Sequence, residues 1–293
     1  MIPGICLLIL TGICWVGIAI VVSDAAKKRR DIDFILFASS SVIAVTAIGM
    51  MVLDPPLDGP PVWRLLICIS VFLAGMGNYL MLKWLRRAMV LGNCGAVWGI
   101  TQSALICPFL MGLLLFGVKP TLCRISGVLL ILTGIILFSR MKPNRKRKAR
   151  GWLLPAFGAF TASGLAQCFA NLPSYWTEIR MSNELRACLV QTGTVCLFLA
   201  TAPFRRKKSD PAGTWKSVAL LSLVQILSLF FFFYRGLDLV AEHGCGAIGY
   251  PVAQGSSIAG VLLYSRFFLK TPCTLNSVLA LIAICGGITV MSL

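Results

Sequence analysis

Ten apolar runs, each long enough to cross a bilayer as a helix, constrain this 293-residue chain more than any other feature. They lie at roughly 2–22, 34–53, 62–82, 91–116, 122–139, 152–173, 185–203, 216–234, 245–265 and 274–292, and about 20 apolar residues suffice to span the hydrocarbon of a membrane. Helices satisfy their own backbone hydrogen bonds in lipid. The runs therefore predict an all-α polytopic membrane protein with ten transmembrane helices. Composition agrees: 58% of residues are hydrophobic and 13% charged, against about 45–50% and 25% in soluble domains. A disordered chain, a coiled coil and an ordinary soluble enzyme are excluded. The first run has no positive leader and no clear small-residue cleavage site, so it reads as a span rather than a signal peptide. The connections are short. Asp54 to Pro61 (DPPLDGPP) is a turn that cannot continue a helix.

The net charge of +17 would suggest nucleic acid in a soluble protein. Its distribution gives another cause. Lys27 to Arg30 lie in the first loop, and Lys83, Arg86 and Arg87 in the third. The fifth holds seven basic residues within Arg140 to Arg150 (RMKPNRKRKAR). Arg205 to Lys208 and Lys216 belong to the seventh, and Arg266 and Lys270 to the ninth. The even loops hold only Arg64, Lys119, Arg124, Arg180, Arg186 and Arg235. Lys and Arg accumulate in cytoplasmic loops. The odd loops are therefore expected in the cytoplasm and both termini outside, with no nucleic acid partner. The hydrophobic length and the lack of targeting segments fit a bacterial inner (plasma) membrane.

The two halves resemble each other. Asn93-Cys-Gly-Ala-Val97 aligns with Gly244-Cys-Gly-Ala-Ile248 at an offset of 151, and the same offset places Lys119 on Lys270, Ser126 on Ser277, Leu130 on Leu281 and Ile131 on Ile282. A shared offset over this length reads as a duplication. It predicts a first five-helix repeat over 1–139, a basic cytoplasmic hinge loop over 140–151 and a second five-helix repeat over 152–293. Five is odd, so the second unit enters the membrane in the opposite sense. Such inverted repeats are a common construction of secondary transporters.

Five plus five helices, a basic hinge and a Gly/Ala-rich fourth helix repeated as the ninth resemble the drug/metabolite transporter superfamily, in its EamA-like branch. Thr11-Gly-Ile-Cys-Trp-Val-Gly17 is similar to its early small-residue/Trp/Gly pattern, and Ser126 to Gly134 and Ser277 to Gly287 are similar to the Gly-rich helices that end each half. The resemblance covers nearly the whole chain, through loose motifs of small residues. It implies a ten-helix bundle around a central cavity that exports or imports small metabolites. The glutamate that related small multidrug pumps carry inside the first helix is absent; the nearest acid is Asp24.

Metal and cofactor chemistry has few ligands to draw on. The twelve cysteines are scattered singly and His243 is the only histidine. All ten acidic residues are read as lying in loops or at helix ends, so no mid-membrane carboxylate is expected for ion coupling. The polar residues inside the runs are uncharged. Trp98 and Gln102 share a face of the fourth helix, Gln167 and Asn171 of the sixth, and Tyr250, Gln254 and Ser257 of the ninth. Trp15 lies near the repeat equivalent of Gln167, with Gln225 in the eighth run and Asn78 in the third. Amides donate and accept hydrogen bonds, and aromatic rings offer flat apolar faces. These ten residues are expected to bind a small neutral or zwitterionic metabolite such as an amino acid or sugar, carried by alternating access. Interhelical hydrogen bonding is the structural alternative for each. An integral-membrane enzyme acting on a lipid or lipid-linked substrate is the competing function; it needs paired acids, bases or metal ligands, and no such pairing is present. Gly95-xxx-Gly99 reads as close helix packing, and Pro108 and Pro251 as possible kinks.

Overall fold

A backbone surrounded by hydrocarbon has no water to bond, and this chain answers with helix along each of the ten apolar runs. The computed structural model describes residues 1–28, 30–51, 57–91, 94–119, 121–139, 151–176, 179–201, 211–268 and 274–291; most of the basic hinge at 140–150 lies outside the described residues. The helices are α1 (Ile2–Lys27), α2 (Ile32–Met51), α3 (Pro61–Leu91), α4 (Cys94–Gln102), α5 (Ile106–Leu115), α6 (Leu122–Ser139), α7 (Leu153–Tyr175), α8 (Asn183–Thr201), α9 (Pro211–Ile226), α10 (Tyr234–Glu242), α11 (Gly249–Phe267) and α12 (Leu275–Met291). A two-residue antiparallel pairing sets β1 (Leu57–Asp58) against β2 (Arg180–Met181), with Leu57 opposite Met181.

Among the described residues, six segments are long and apolar enough to cross a membrane: Ile2–Val22, Ile32–Met51, Pro61–Leu91, Val97–Leu115, Leu153–Tyr175 and Gly213–Glu242. α6 and α12 are apolar but shorter. The outer faces carry large apolar side chains, among them Leu114, Leu122 and Val45. Apolar exposure on that scale is a liability in water and ordinary in lipid. The protein is an all-helical, membrane-embedded bundle. α11 is polar enough to fall outside the six because it does not face lipid: every residue from Cys245 to Ala259 is buried.

Contacts between small residues fix the directions of the helices. Gly127 of α6 lies on the Gly287 carbonyl of α12, and Gly134 on the Ala280 carbonyl, so the two helices run antiparallel. Phe37 near the start of α2 stacks on Phe198 near the end of α8, and Leu57 pairs with Met181 beyond the opposite ends, so this pair is antiparallel too. α3 and α8 run side by side in the same sense. Ile67 clusters with Met181, Gly75 lies against the Val190 carbonyl, and Tyr79 Oη bonds Thr201 Oγ1 at 2.9 Å. α1 and α11 are parallel likewise, with Gly12 against Ala253 and Ser256, and Gly260 against Val16. α1 also packs along α9 and α10, and α7 along α3.

Three helix irregularities have local causes. Pro108 lacks an N–H and crowds the carbonyl four residues back, at Ala104; the chain there tightens into the 3-10 turn Ser103–Leu105 that joins α4 to α5. Between α9 and α10, Leu227–Phe233 is π-helical. This widened turn leaves the Phe230 carbonyl to accept from Asn183 Nδ2 at 3.4 Å. α10 is capped at Gly244, whose φ of 67° lies in the left-handed region that favours glycine. The Gly244 and Cys245 N–H groups bond back to the Ala241 and Val240 carbonyls at 2.8 Å, a Schellman cap. This cap opens the second copy of the sequence motif found at Asn93 to Val97.

The close crossings predict an ordering of glycine substitutions. A Cβ at Gly193 would meet the Phe72 carbonyl, and one at Gly75 the Val190 carbonyl, whereas nothing lies within 4 Å of one at Gly286. Gly193→Ala and Gly75→Ala should each cost about 1–3 kcal/mol, and Gly286→Ala should be neutral or better. Thermal unfolding of the purified protein in detergent checks this; equal effects at the three positions would discount the crossings.

Candidate functional site

Helical spacing lays a polar row along α7. Ser163, Gln167, Asn171 and Tyr175 recur every fourth residue and share one face. All but Tyr175 are buried as whole residues, and the hydroxyl of Tyr175 is buried as well. Gln167 Nε2 donates to Ser163 Oγ at 2.9 Å, and its Oε1 has no partner. Asn171, 1% exposed, has neither Oδ1 nor Nδ2 bonded. It and Tyr175 are near enough to interact, without hydrogen-bond geometry. The Tyr175 ring stacks on Phe116 at 4.4 Å and presses on Gly112 and Gly246, which closes this end of the bundle.

α11 faces the row. Tyr250 is buried with its ring edge-on to Phe233 at 5.3 Å, and its hydroxyl is within electrostatic reach of Cys168, Tyr234 and Arg186. Trp15 of α1 packs on the same Phe233 at 5.4 Å. Phe233 therefore joins Trp15 to Tyr250, while Tyr250 reaches the α7 segment that holds Gln167 and Asn171. Gln254 is buried with Oε1 unpartnered, and Ser257 is buried beside Gly12 of α1. Gln225 Oε1, near the π-helical segment, is buried without a partner, as are the hydroxyls of Ser222 and Ser228.

Three further expected residues are Trp98, Gln102 and Asn78. Trp98 packs in an apolar cluster with Leu85, Ala88 and Ala156 near the start of α7. Gln102 is half-buried and makes no capping bond at the 3-10 turn. Asn78 is half-buried on α3 between Gly77, which lies on α7, and Tyr79, which bonds Thr201. Two grooves, of about 460 and 360 Å³, open on the flanks of the bundle. The first is lined by Ile100, Ile106, Leu132 and Phe160 and the second by Val42, Trp215 and Leu223; none of the ten expected residues lines either.

The interior is not uncharged, which corrects the sequence reading. Arg186, assigned there to a loop, is in the first turn of α8 and 3% exposed. Its Nη1 donates to Asp238 Oδ1 of α10 at 2.8 Å and to Ser174 Oγ of α7 at 3.0 Å, and its guanidinium carbon lies 5.7 Å from the centre of the Tyr234 ring. Asp238 lies one turn before the end of α10, in keeping with the expected place of the acids in loops or at helix ends. The signal was available: Arg186 and Asp238 are opposite charges in or beside consecutive even-numbered connections. Hydropathy smoothing hid them because both are within a turn of a helix end.

No family model matches the chain, and no curated protein matches it. Among solved structures 26 chains match. One crystal structure of a protein superimposes with a TM-score of 0.71 over 97% of this chain and 94% of its own, at 14% identity. That likeness shows a shared fold.

The Arg186–Asp238 pair yields an asymmetric prediction. Asp238→Asn strands a buried guanidinium and should cost about 3 kcal/mol. Arg186→Gln leaves a carboxylate that is 32% exposed and can reach water, so it should cost less. The double variant should lose less than the sum of the two. A double-mutant cycle by thermal unfolding measures this; additive losses would show the two charges to be uncoupled.

Proposed function

We propose that this protein is a secondary transporter that moves a small polar organic solute, neutral or zwitterionic, across the membrane by alternating access. The observation that carries the proposal is the set of buried, unpartnered polar atoms on Gln167, Asn171, Gln225 and Gln254. A polar group buried without a hydrogen bond costs about 1–3 kcal/mol in proteins, and native structures leave few of them. Four amides in that state are fitted to take hydrogen bonds from something that enters. In this reading the closed Tyr175 end is one phase of a cycle in which the path opens to either side.

The architecture is read as ten spans in two oppositely threaded units, residues 1–139 and 152–293. Helix packing supports it. Under the offset of 151, α2 corresponds to α8 and α6 to α12, and in each pair the partners are antiparallel in space. The packing of α1 along α9 and α10 has its counterpart in that of α7 along α3. Two units related in this way can rock about their common interior. The charge distribution favours the odd loops in the cytoplasm and both termini outside, in a membrane such as the bacterial inner membrane. The resemblance to the EamA-like branch of the drug/metabolite transporters points the same way.

Two measurements test the proposal. In liposomes holding the purified protein, counterflow across a panel of radiolabelled metabolites should identify a solute. Gln254→Ala and Asn171→Ala should then lower its uptake about three- to tenfold, the worth of about 0.5–1.5 kcal/mol per hydrogen bond, at unchanged protein abundance. Unchanged uptake in both would return those amides to packing. A reporter active only in the cytoplasm should work inside the Arg140–Arg150 loop and fail at the C-terminus; the reverse would invert the orientation.

A further inference from the structure

A guanidinium offers five N–H donors in a planar fork that matches the two oxygens of a carboxylate. In Arg186 that capacity is only partly used. Both of the hydrogen bonds found there leave from Nη1, to Asp238 Oδ1 and to Ser174 Oγ, while Nε is buried with no partner. A charge this deep in a membrane protein is costly, and such groups commonly mark a solute or ion path.

The surroundings of Arg186 are built to receive an anion. Tyr234 lies beneath the guanidinium and keeps it from turning away. Ser174, which Arg186 touches, is next to Tyr175 on α7, and one turn back is Asn171; the Tyr175 hydroxyl and the Asn171 amide are both buried and unpartnered. The Tyr250 hydroxyl reaches the same region from α11. Arg186 therefore keeps an unused N–H beside helices α7 and α11, which carry further buried polar groups. The resident Asp238 identifies the matching group, since it is itself a carboxylate. Its hold is one-sided: its side chain is 32% exposed against 3% for Arg186. Asp238 can turn to water, and Arg186 cannot.

We propose that Arg186 anchors a carboxylate of the transported solute, taking the place that Asp238 holds in this structure. The proposal rests on the transport reading and narrows it, selecting solutes that carry a carboxylate over neutral ones. Asp238 is then an internal competitor that neutralises Arg186 whenever the site is empty. The exchange keeps the buried guanidinium paired throughout, so no isolated charge is stranded in the bundle.

Thermal unfolding of the full chain in detergent, at constant ionic strength, tests this with three carboxylates (acetate, benzoate and L-leucine) and their amides (acetamide, benzamide and L-leucinamide). At least one carboxylate should raise Tm saturably while its amide does not, and the effect should vanish in Arg186→Gln. Asp238→Asn removes the competitor and should lower the half-saturating concentration by about tenfold, the equivalent of about 1.4 kcal/mol. If Arg186→Gln does not unfold cooperatively, Arg186→Lys carries the same reading: it keeps the charge, loses the fork, and should raise half-saturation by about tenfold. The proposal is overturned if no carboxylate shifts Tm, if amides shift it equally, or if Arg186→Gln still responds. Counterflow of a neutral solute without a carboxylate effect removes the anchor and leaves transport standing. A carboxylate effect without counterflow of any solute retains the anchor and removes transport.

Discussion

Lipid tails are as apolar as leucine, so helices in a membrane gain nothing from hiding leucine from its surroundings. What holds them together is close packing, and close packing needs places where one backbone can touch another. Here those places are glycines. Gly127 and Gly287 bring α6 and α12 together, Gly75 and Gly193 do so for α3 and α8, and Gly12 seats α1 on Ala253 and Ser256 of α11. The direction of each helix and the shielding of α11 from lipid depend on these contacts. They also leave the surface free to be uniformly apolar, since specificity is supplied inside.

The same dryness raises the stakes for every polar atom. Inside a bundle the alternatives to a protein partner are a trapped water, a solute or an unmade bond. Many buried hydroxyls resolve this locally by bonding a carbonyl one turn back, as Thr11, Thr101 and Ser256 do. The amides do so less fully, because each carries both donors and an acceptor to satisfy: Gln167, Asn171, Gln225 and Gln254 each retain an unpartnered atom. The Ser222 and Ser228 hydroxyls are likewise buried without a partner, so local bonding settles many of the small polar residues but not all. Arg186 is the extreme case, for which an ion pair is the least that burial demands.

The backbone irregularities cluster where the interior is polar. The 3-10 turn at Ser103–Leu105 follows Gln102, the π-helical segment at Leu227–Phe233 follows Gln225 and carries Phe233 against Tyr250, and the 3-10 turn at Gly246–Ile248 precedes Tyr250. Each break interrupts a helix that would otherwise be a stiff rod. In a transporter such breaks are where a helix can bend without unpacking its ends.

Much of this was legible in the sequence, because hydrophobic length is a one-dimensional property. A run of apolar residues reports a membrane helix without reference to its neighbours, so helix lies where the runs lie. Same-face spacing is equally local, and it found the rows on α7 and α11. The groupings were not legible. Trp98, Gln102 and Asn78 look like their partners on a helical wheel, yet Trp98 belongs to an apolar cluster and Asn78 to a packed stretch of α3. Arg186 reads as a loop cation because a charge near a helix end is solvated by default. Only the approach of α7 and α10 turns it inward, to Ser174 and Asp238. The chain's pattern determined that it lives in lipid as helices. Which side chains meet was decided by backbone contacts between residues far apart in sequence, and no periodicity records those.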